Sequence, residues 1–393
     1  MPPLIARRLV LPPSILAMSV AVFLMAAGEN LWKRFVPKYL EALGAPVAAI
    51  GLFGSCQDLL DGLYQYPGGW IGDRYGRRAA LLLFVVLAAV GYGLYWVAPS
   101  WPFVFAGLAF VMAWSSMASP TLFAVVGDAL PRERRALGFT VQSILRRIPI
   151  ALVPAVGGMA IATYGVVGGV HLGLAVTLAL AVMTVAVAWR IDIPVVADDE
   201  PMTMRLVWRA LPPPLRWLLA SDIVVRTCEG LVDVFLVLYA INVIGIGAPA
   251  YGVLVGVQAV TAILSYIPGA RLADRVGRKP FVIATFIAFA AFPVAVVLAH
   301  DFATLVAAFV IGGLREVGEP ARKAMIVDLV RPSLRARSIG LYYLVRSVAI
   351  TPAAVIGGLL WGLTPALPFW MAGAVGLAGV VLFAVTVEEP DAS

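Results

Sequence analysis

The sequence predicts an all-α membrane protein of twelve transmembrane helices in two pseudo-symmetric six-helix bundles, with both termini cytoplasmic. Three observations carry this prediction. Hydrophobic residues make up 62% of the 393 positions and charged residues only 13%, too apolar a balance for a water-soluble protein. A bilayer core needs about 20 apolar residues per helix, and twelve runs of that kind can be marked out. A charged turn between two of these runs, Gly68–Arg78, returns as Gly269–Lys279.

The runs lie at approximately 12–42, 45–71, 77–98, 101–130, 133–163, 166–190, 215–244, 248–273, 278–300, 302–330, 333–363 and 366–387. Several exceed the minimum length, which implies tilt or extension beyond the bilayer. The first follows Arg7 and Arg8 and ends near small residues, as a secretory leader does. It continues into further spans, so it is expected to stay as an uncleaved first helix. The segment Asp192–Pro214, with three consecutive acids and three consecutive prolines, is the polar interruption. It divides the chain into an N-terminal bundle, 1–191, a cytoplasmic linker, 192–214, and a C-terminal bundle, 215–393.

Basic residues set the orientation. Of the 29 Lys and Arg, 18 fall in alternate connections, around 7–8, 74–78, 132–135, 190–216, 275–279 and 331–337; the connections near 44, 100, 165, 246, 300 and 365 hold none. The net charge of +7 is mostly this asymmetry, so nucleic acid is not an expected partner. Cys56 and Cys228 form no metal or disulfide pattern, and no cofactor is expected. His171 and His300 sit near outer helix ends.

The halves repeat at an offset of 200 or 201 positions. Asp73, Arg74 and Gly76 match Asp274, Arg275 and Gly277. Glu29, Asp128 and Arg146 match Glu229, Asp328 and Arg346, and Gly157-Gly158 matches Gly357-Gly358. The first turn, from Gly69 through Asp73, Arg74, Gly76 and Arg77 to Arg78, reads Gly-x-x-x-Asp-Arg-x-Gly-Arg-Arg; the second has Ala270 and Lys279 at its ends, around Arg278. Such a turn in a duplicated set of six spans resembles the major facilitator superfamily of transporters. The resemblance implies a central site between the halves near the midplane, with spans 1, 4, 7 and 10 lining it and spans 2, 5, 8 and 11 forming the interface. It also implies that the turn is a cytoplasmic gate. Asp73 would cap a helix of the other half, Asp128 would partner Arg74 or Arg77, and Asp328 would partner Arg275 or Arg278. Pro154-x-x-Gly157-Gly158 resembles the motif of proton-driven exporters, with Val153 where its first glycine belongs.

Fifteen ionisable residues fall inside spans: Glu29, Asp58, Asp61, Glu229, Asp233, Glu316, Glu319, Lys33, Arg34, Arg146, Arg147, Arg226, Arg315, Arg322 and Arg346. At about 2.5–3.5 kcal/mol each, together on the order of 40 kcal/mol, they cannot face lipid. They must pair with one another or line a wet cavity. Helical spacing puts Arg226, Glu229 and Asp233 on one face, likewise Arg315, Glu319 and Arg322, and stacks Lys33 on Glu29 beside Asn30. The repeat suggests two equivalent pairs, Glu29 with Arg146 or Arg147 and Glu229 with Arg346, and an outer gate between Lys33 and Asp233. Glu29, Asp58 and Glu229 lead the proton candidates, and Pro120 and Pro320 are expected to kink spans 4 and 10.

No nucleotide loop or metal cluster is present in the sequence, so an enzyme is not expected. The expected function is alternating-access transport of a small charged or amphipathic solute, driven by protons, as an exporter. The alternatives are an uptake symporter for an organic anion and a lipid scramblase. The expected partners are small-molecule substrate, protons and the lipid bilayer. The expected location is the plasma membrane, a bacterial inner membrane, with the monomer as the working unit.

Overall fold

The computed structural model describes residues 13–119, 121–122, 132–189, 208–209, 211–330 and 335–388. Pro120, Asp128 and most of the 192–214 linker lie outside the described residues, as do the side chains of Asp73 and Asp274. Among the described residues the secondary structure is helical and no strand occurs.

The elements follow the apolar runs closely, with breaks that hydropathy does not announce. α1 (Pro13–Asn30) passes through a 3-10 turn, Lys33–Phe35, into α2 (Val36–Ala42). α3 (Val47–Tyr75) and α4 (Arg77–Trp96) flank the first charged turn. α5 (Trp101–Met112) loosens into a π-helix, Ala113–Met117. α6 (Arg132–Ala188) covers the two runs expected at 133–163 and 166–190, divided where Gly165 leaves helical geometry at φ 75°. α7 (Pro213–Val232) leads through a 3-10 turn, Asp233–Phe235, into α8 (Leu236–Leu238) and a π-helix, Tyr239–Val243. α9 (Ala248–Val276) and α10 (Lys279–Val297) flank the second charged turn. α11 (Phe302–Leu314) and α12 (Glu319–Asp328) are separated by a non-helical turn, and α13 (Arg335–Ile350) and α14 (Pro352–Leu363) meet at Thr351. α15 (Leu367–Thr386) closes the set.

Seven helical stretches among the described residues are long and apolar enough to cross a membrane. Large apolar side chains cover their outer faces, with Val385, Leu363 and Val182 more than 70% exposed. In water that surface would drive aggregation; against acyl chains it is the favourable arrangement, because the helices satisfy their own backbone hydrogen bonds. The chain is an integral, multi-pass membrane protein.

The chain packs as two units. One holds the described residues of Met1–Lys33, Leu63–Ile150 and His171–Asp199. The other holds those of Arg34–Gly62, Ala151–Val170 and Glu200–Ser393. The second unit therefore joins the first half's segments 34–62 and 151–170 to the second half's helices. Small residues allow this. A Cβ on Gly158 would lie 2.7 Å from the Pro249 Cα, and one on Gly54 would lie 2.8 Å from a Val234 methyl.

Both charged turns need glycine for a conformational reason. Gly76 and Gly277 have φ of 89° and 112°, a region that costs an L-residue about 1–2 kcal/mol. A second duplicated contact lies beside them. A Cβ added to Gly68 would lie 2.5 Å from the Met117 Cα, and one on Gly269 would lie 2.9 Å from a Val317 methyl. These partners are themselves 200 positions apart.

Candidate functional site

The breaks come at matched places in the repeat. Lys33–Phe35 and Asp233–Phe235 are equivalent 3-10 turns. The π-helix Ala113–Met117 is matched in the second half by the turn between Leu314 and Glu319. Pro37 and Pro320 restart the helices after two of these breaks, at positions where a missing N–H is harmless. The sequence reading placed Arg315, Glu319 and Arg322 on one continuous helix, kinked at Pro320. The structure instead ends α11 at Leu314, so Arg315 stands in a turn. Gly318 closes that turn by donating its N–H to the Thr285 hydroxyl at 2.7 Å.

In the first unit, Glu29 is buried near the end of α1 and accepts hydrogen bonds from the Tyr92 hydroxyl at 2.7 Å and Lys33 Nζ at 3.4 Å. Asn30 turns back to donate to the Ala26 carbonyl at 2.8 Å. Trp32 locks the adjoining turn, donating Nε1 to the Thr177 hydroxyl at 3.0 Å and packing edge-on to Tyr92 and Tyr95. The partners of Glu29 are thus Tyr92 and Lys33 rather than the expected Arg146 or Arg147. Arg146 is exposed and Arg147 half-buried. Lys33 lies one turn along from Glu29 and is drawn to it.

The second unit holds an ionic network. Glu229 accepts from Arg226 Nη1 at 2.9 Å and Arg315 Nη1 at 3.1 Å. Glu319 takes Arg322 at 2.6 Å, Arg226 at 3.4 Å and Lys323 at 3.6 Å. The Phe289 ring meets two cations, with the Arg226 and Arg315 guanidinium carbons 4.6 and 4.9 Å from its centroid. Arg346 reaches Asp222 at 3.4 Å, which replaces the expected Glu229–Arg346 pair. Glu229 lies two turns further along α7 than Asp222, at the level where Arg315 arrives. Sequence reasoning missed Asp222, which is fully buried; it fell near a run's predicted end, although its i, i+4 spacing to Arg226 was a usable signal.

Beside this network is a cavity of about 100 Å³. Gln57 and Asp58 of α3 line one side; Arg226, Glu229, Gly230 and Asp233 line the other, with Ile350 and Ala354. Gly230 lets the two sides meet, since a Cβ there would touch the Ala353 methyl at 2.9 Å and stand 3.9 Å from an Asp58 carboxylate oxygen. Every arginine around Glu229 is engaged by a carboxylate, whereas Asp58 and Asp233 have no ion pair among the described residues. Asp61 and Glu316 are half-buried nearby in sequence.

One end of this unit is tied separately. Asn242 donates Nδ2 to Glu41 at 2.7 Å, and Lys38 bonds both Glu41 and the Asn242 side-chain oxygen. At the charged turns, Arg278 pairs with Asp328 and Lys279 donates to the Ala384 carbonyl at 2.9 Å, the last turn of α15. Arg77 is buried, and Arg74 lies over the Trp70 ring at 5.3 Å. Arg275 is exposed, and Gly69 is half-buried.

The sequence profile of the Major Facilitator Superfamily matches residues 18–221 and, again, 218–393. The chain belongs to the major facilitator superfamily. That superfamily is one of transporters, not enzymes. The chain is similar to the uncharacterized MFS-type transporter YfiU of Bacillus subtilis (strain 168), 27% identical over 140 residues, 35% of this chain and 27% of that one. It is also similar to the quinolone resistance protein NorA of Staphylococcus aureus (strain Mu50 / ATCC 700699), 26% identical over 151 residues, 38% of this chain and 39% of NorA. The match thus spans well under half the length of either curated relative. Among solved structures, the nucleoside transporter NupG superposes with a TM-score of 0.78 at 13% identity, over 95% of this chain and 100% of that one. A POT family transporter in complex with 5-aminolevulinic acid gives 0.77 at 13% identity, over 95% and 96%. At such identities the likeness speaks for the fold.

Proposed function

We propose that this MFS transporter is a proton-coupled exporter of amphipathic organic cations. It works by alternating access between two six-helix repeats, twelve spans in all, with both termini cytoplasmic in a bacterial inner membrane, as a monomer. One observation carries the reading. Asp58 from the first repeat and Asp233 from the second line a single cavity, and no described residue forms an ion pair with either. Two carboxylates that no cation contacts directly, with Arg346 acting on Asp58 and Arg34 and Arg315 on Asp233 only from a distance, are stabilised at membrane depth by a proton or by a positively charged guest. One site that accepts either, but not both together, makes proton and cargo compete, which is the logic of an antiporter. The alternative of an organic anion finds little support, because the arginines near the cavity are already held by Asp222, Glu229 and Glu319. The likeness to NorA, named for quinolone resistance, supports export.

Lys38, Glu41 and Asn242 lie at the ends that the basic-residue count puts outside. They act as an outer latch between the repeats, in place of Lys33 with Asp233. The duplicated turns, with Asp73, Asp128, Asp274 and Asp328, serve as the cytoplasmic gate. The test is purified protein in liposomes with an imposed pH gradient and a lipophilic cation such as ethidium. Cation movement should be accompanied by proton movement in the opposite direction, and Asp58→Asn should abolish both. Cation flux without proton movement would remove the coupling.

A further inference from the structure

Asp222 lies one turn before Arg226 on α7 and has no exposed surface. Its Oδ2 receives three donors: Arg322 Nη1 at 2.7 Å, the Tyr342 hydroxyl at 3.0 Å and Arg346 Nη1 at 3.4 Å. Its Oδ1 is buried without a hydrogen-bond partner among the described residues, and so are the Nε atoms of Arg226 and Arg346. The hydrogen bonds therefore fall on one oxygen, with Arg226 Nε 3.8 Å from the other as an ion pair, and Arg346 holds the longest of the three bonds. Arg322 is secured independently, with two bonds to Glu319 at 3.0 and 2.6 Å. Arg346 has no such second carboxylate in this arrangement. Its field does reach Asp58, and Ile350, one turn further along α13, lines the cavity beside Asp58.

We propose that Asp222 is a positioning residue that holds Arg346 back from Asp58, and so leaves Asp58 open to a proton or a cationic headgroup. The inference rests on the reading of Asp58 given above. The charged groups that act on Asp58 are Asp61 on its own helix, Arg226, Glu229 and Asp233 from α7, and Arg346 from α13. Of these cations, Arg226 is bound twice over, by Glu229 and Glu319. Arg346 has Asp222 as its one ion-pair partner among the described residues, and its guanidinium otherwise rests over the Tyr343 ring at 4.7 Å. Once released, Arg346 would move to the nearest carboxylate lacking a cation. An Asp58–Arg346 pair would occupy the site and tie α3 to α13. The first repeat lacks this anchor: Val22 stands where Asp222 does, and the equivalent Arg146 is exposed.

The test reads Asp58 directly. Dicyclohexylcarbodiimide adds to carboxyl groups that carry a proton in apolar surroundings, and the adduct on the Asp58 peptide is counted by mass spectrometry of the full-length protein. Wild type should label at Asp58. Asp222→Asn should label at least tenfold less, and Asp222→Asn combined with Arg346→Gln should recover. Recovery is the outcome that a merely structural role for Asp222 would not give. Should Asp222→Asn fail to fold, Asp222→Asn with Arg322→Gln removes one anion and one cation while still releasing Arg346, and it must also label poorly. Labelling that is unchanged in these variants overturns this inference alone. An unlabelled wild-type Asp58, together with normal transport by Asp58→Asn, overturns both it and the proposed function.

Discussion

Glu29 and Glu229 occupy the same place in the two repeats, yet they live in different chemistry. Glu229 sits between two guanidinium groups, Arg226 and Arg315, whereas Glu29 shares a hydroxyl from Tyr92 and a longer bond from Lys33. The difference is written in the positions around them. Where the second repeat has Asp222, Arg226, Arg315, Glu319 and Arg322, the first has Val22, Ala26, Ser115, Ser119 and Leu122. The helices and their breaks recur in both repeats, and these five network positions are charged in one copy only. Glu229 is thus compensated by two guanidinium groups, while Glu29 is held by a phenol and a single lysine.

The comparison breaks most severely at Arg322. This side chain is 1% exposed and joins Asp222 to Glu319, so Arg322→Gln leaves two buried carboxylates short of a cation. A loss of about 3–5 kcal/mol is expected, read as a collapse of the detergent-solubilised melting temperature. The equivalent Leu122 has no charge to lose. Next is the matched pair Glu29→Gln and Glu229→Gln. Removing Glu229 leaves Arg315 without its carboxylate and takes one partner from Arg226, and should lower transport at least tenfold. Glu29→Gln retains an acceptor for Tyr92 and should leave most transport intact. Equal losses in the two variants would end the comparison. Tyr92→Phe is smaller, about 1–3 kcal/mol of stability, because it strips a hydrogen bond from a buried carboxylate. A double-mutant cycle between Glu41 and Asn242 should give about 0.2–1 kcal/mol of coupling, in keeping with a partly exposed pair. Its clearer readout is cysteine accessibility of the cavity, which should rise when the proposed latch is cut.

The smallest expected effect is at Asp301, the N-cap of α11, outside the spans. Hydrogen bonds from the Thr304 hydroxyl and N–H hold its carboxyl below the usual carboxylate range. The sign is that of a depressed acid. The cap contributes above about pH 4, the unfolded value, and is lost as pH falls through the lower folded value. Acid titration of Asp301→Ala against wild type should show the two curves converging only at strongly acidic pH.

The all-helical, membrane-spanning character and the family were legible in the sequence because their determinants are local. Apolar length and a duplicated charged turn need no knowledge of which helix faces which. The site was legible only as a set of residue types. Arg346 was expected on Glu229 and found on Asp222, because the choice between two acids two turns apart depends on helix rotation and on the arrival of Arg315. The breaks at Lys33–Phe35 and Asp233–Phe235 were missed because their charged residues, Lys33, Arg34 and Asp233, read as pathway groups on continuous helices, and no proline or glycine falls inside either turn. The contact of Gly68 with Met117 went unnoticed beside the neighbouring Gly69, which carried the motif.

The interrupted helices have a mechanical consequence. A rigid rod transmits a tilt along its whole length, whereas a rod softened partway can bend at that point while its ends stay packed. Lys33, Asp233 and Arg315 stand at three such softened points, so any rearrangement of their charges acts where bending is easiest. Amide exchange should be fast at 31–35, 233–235 and 315–318 and slow in the turns on either side, with cargo suppressing it at those places first.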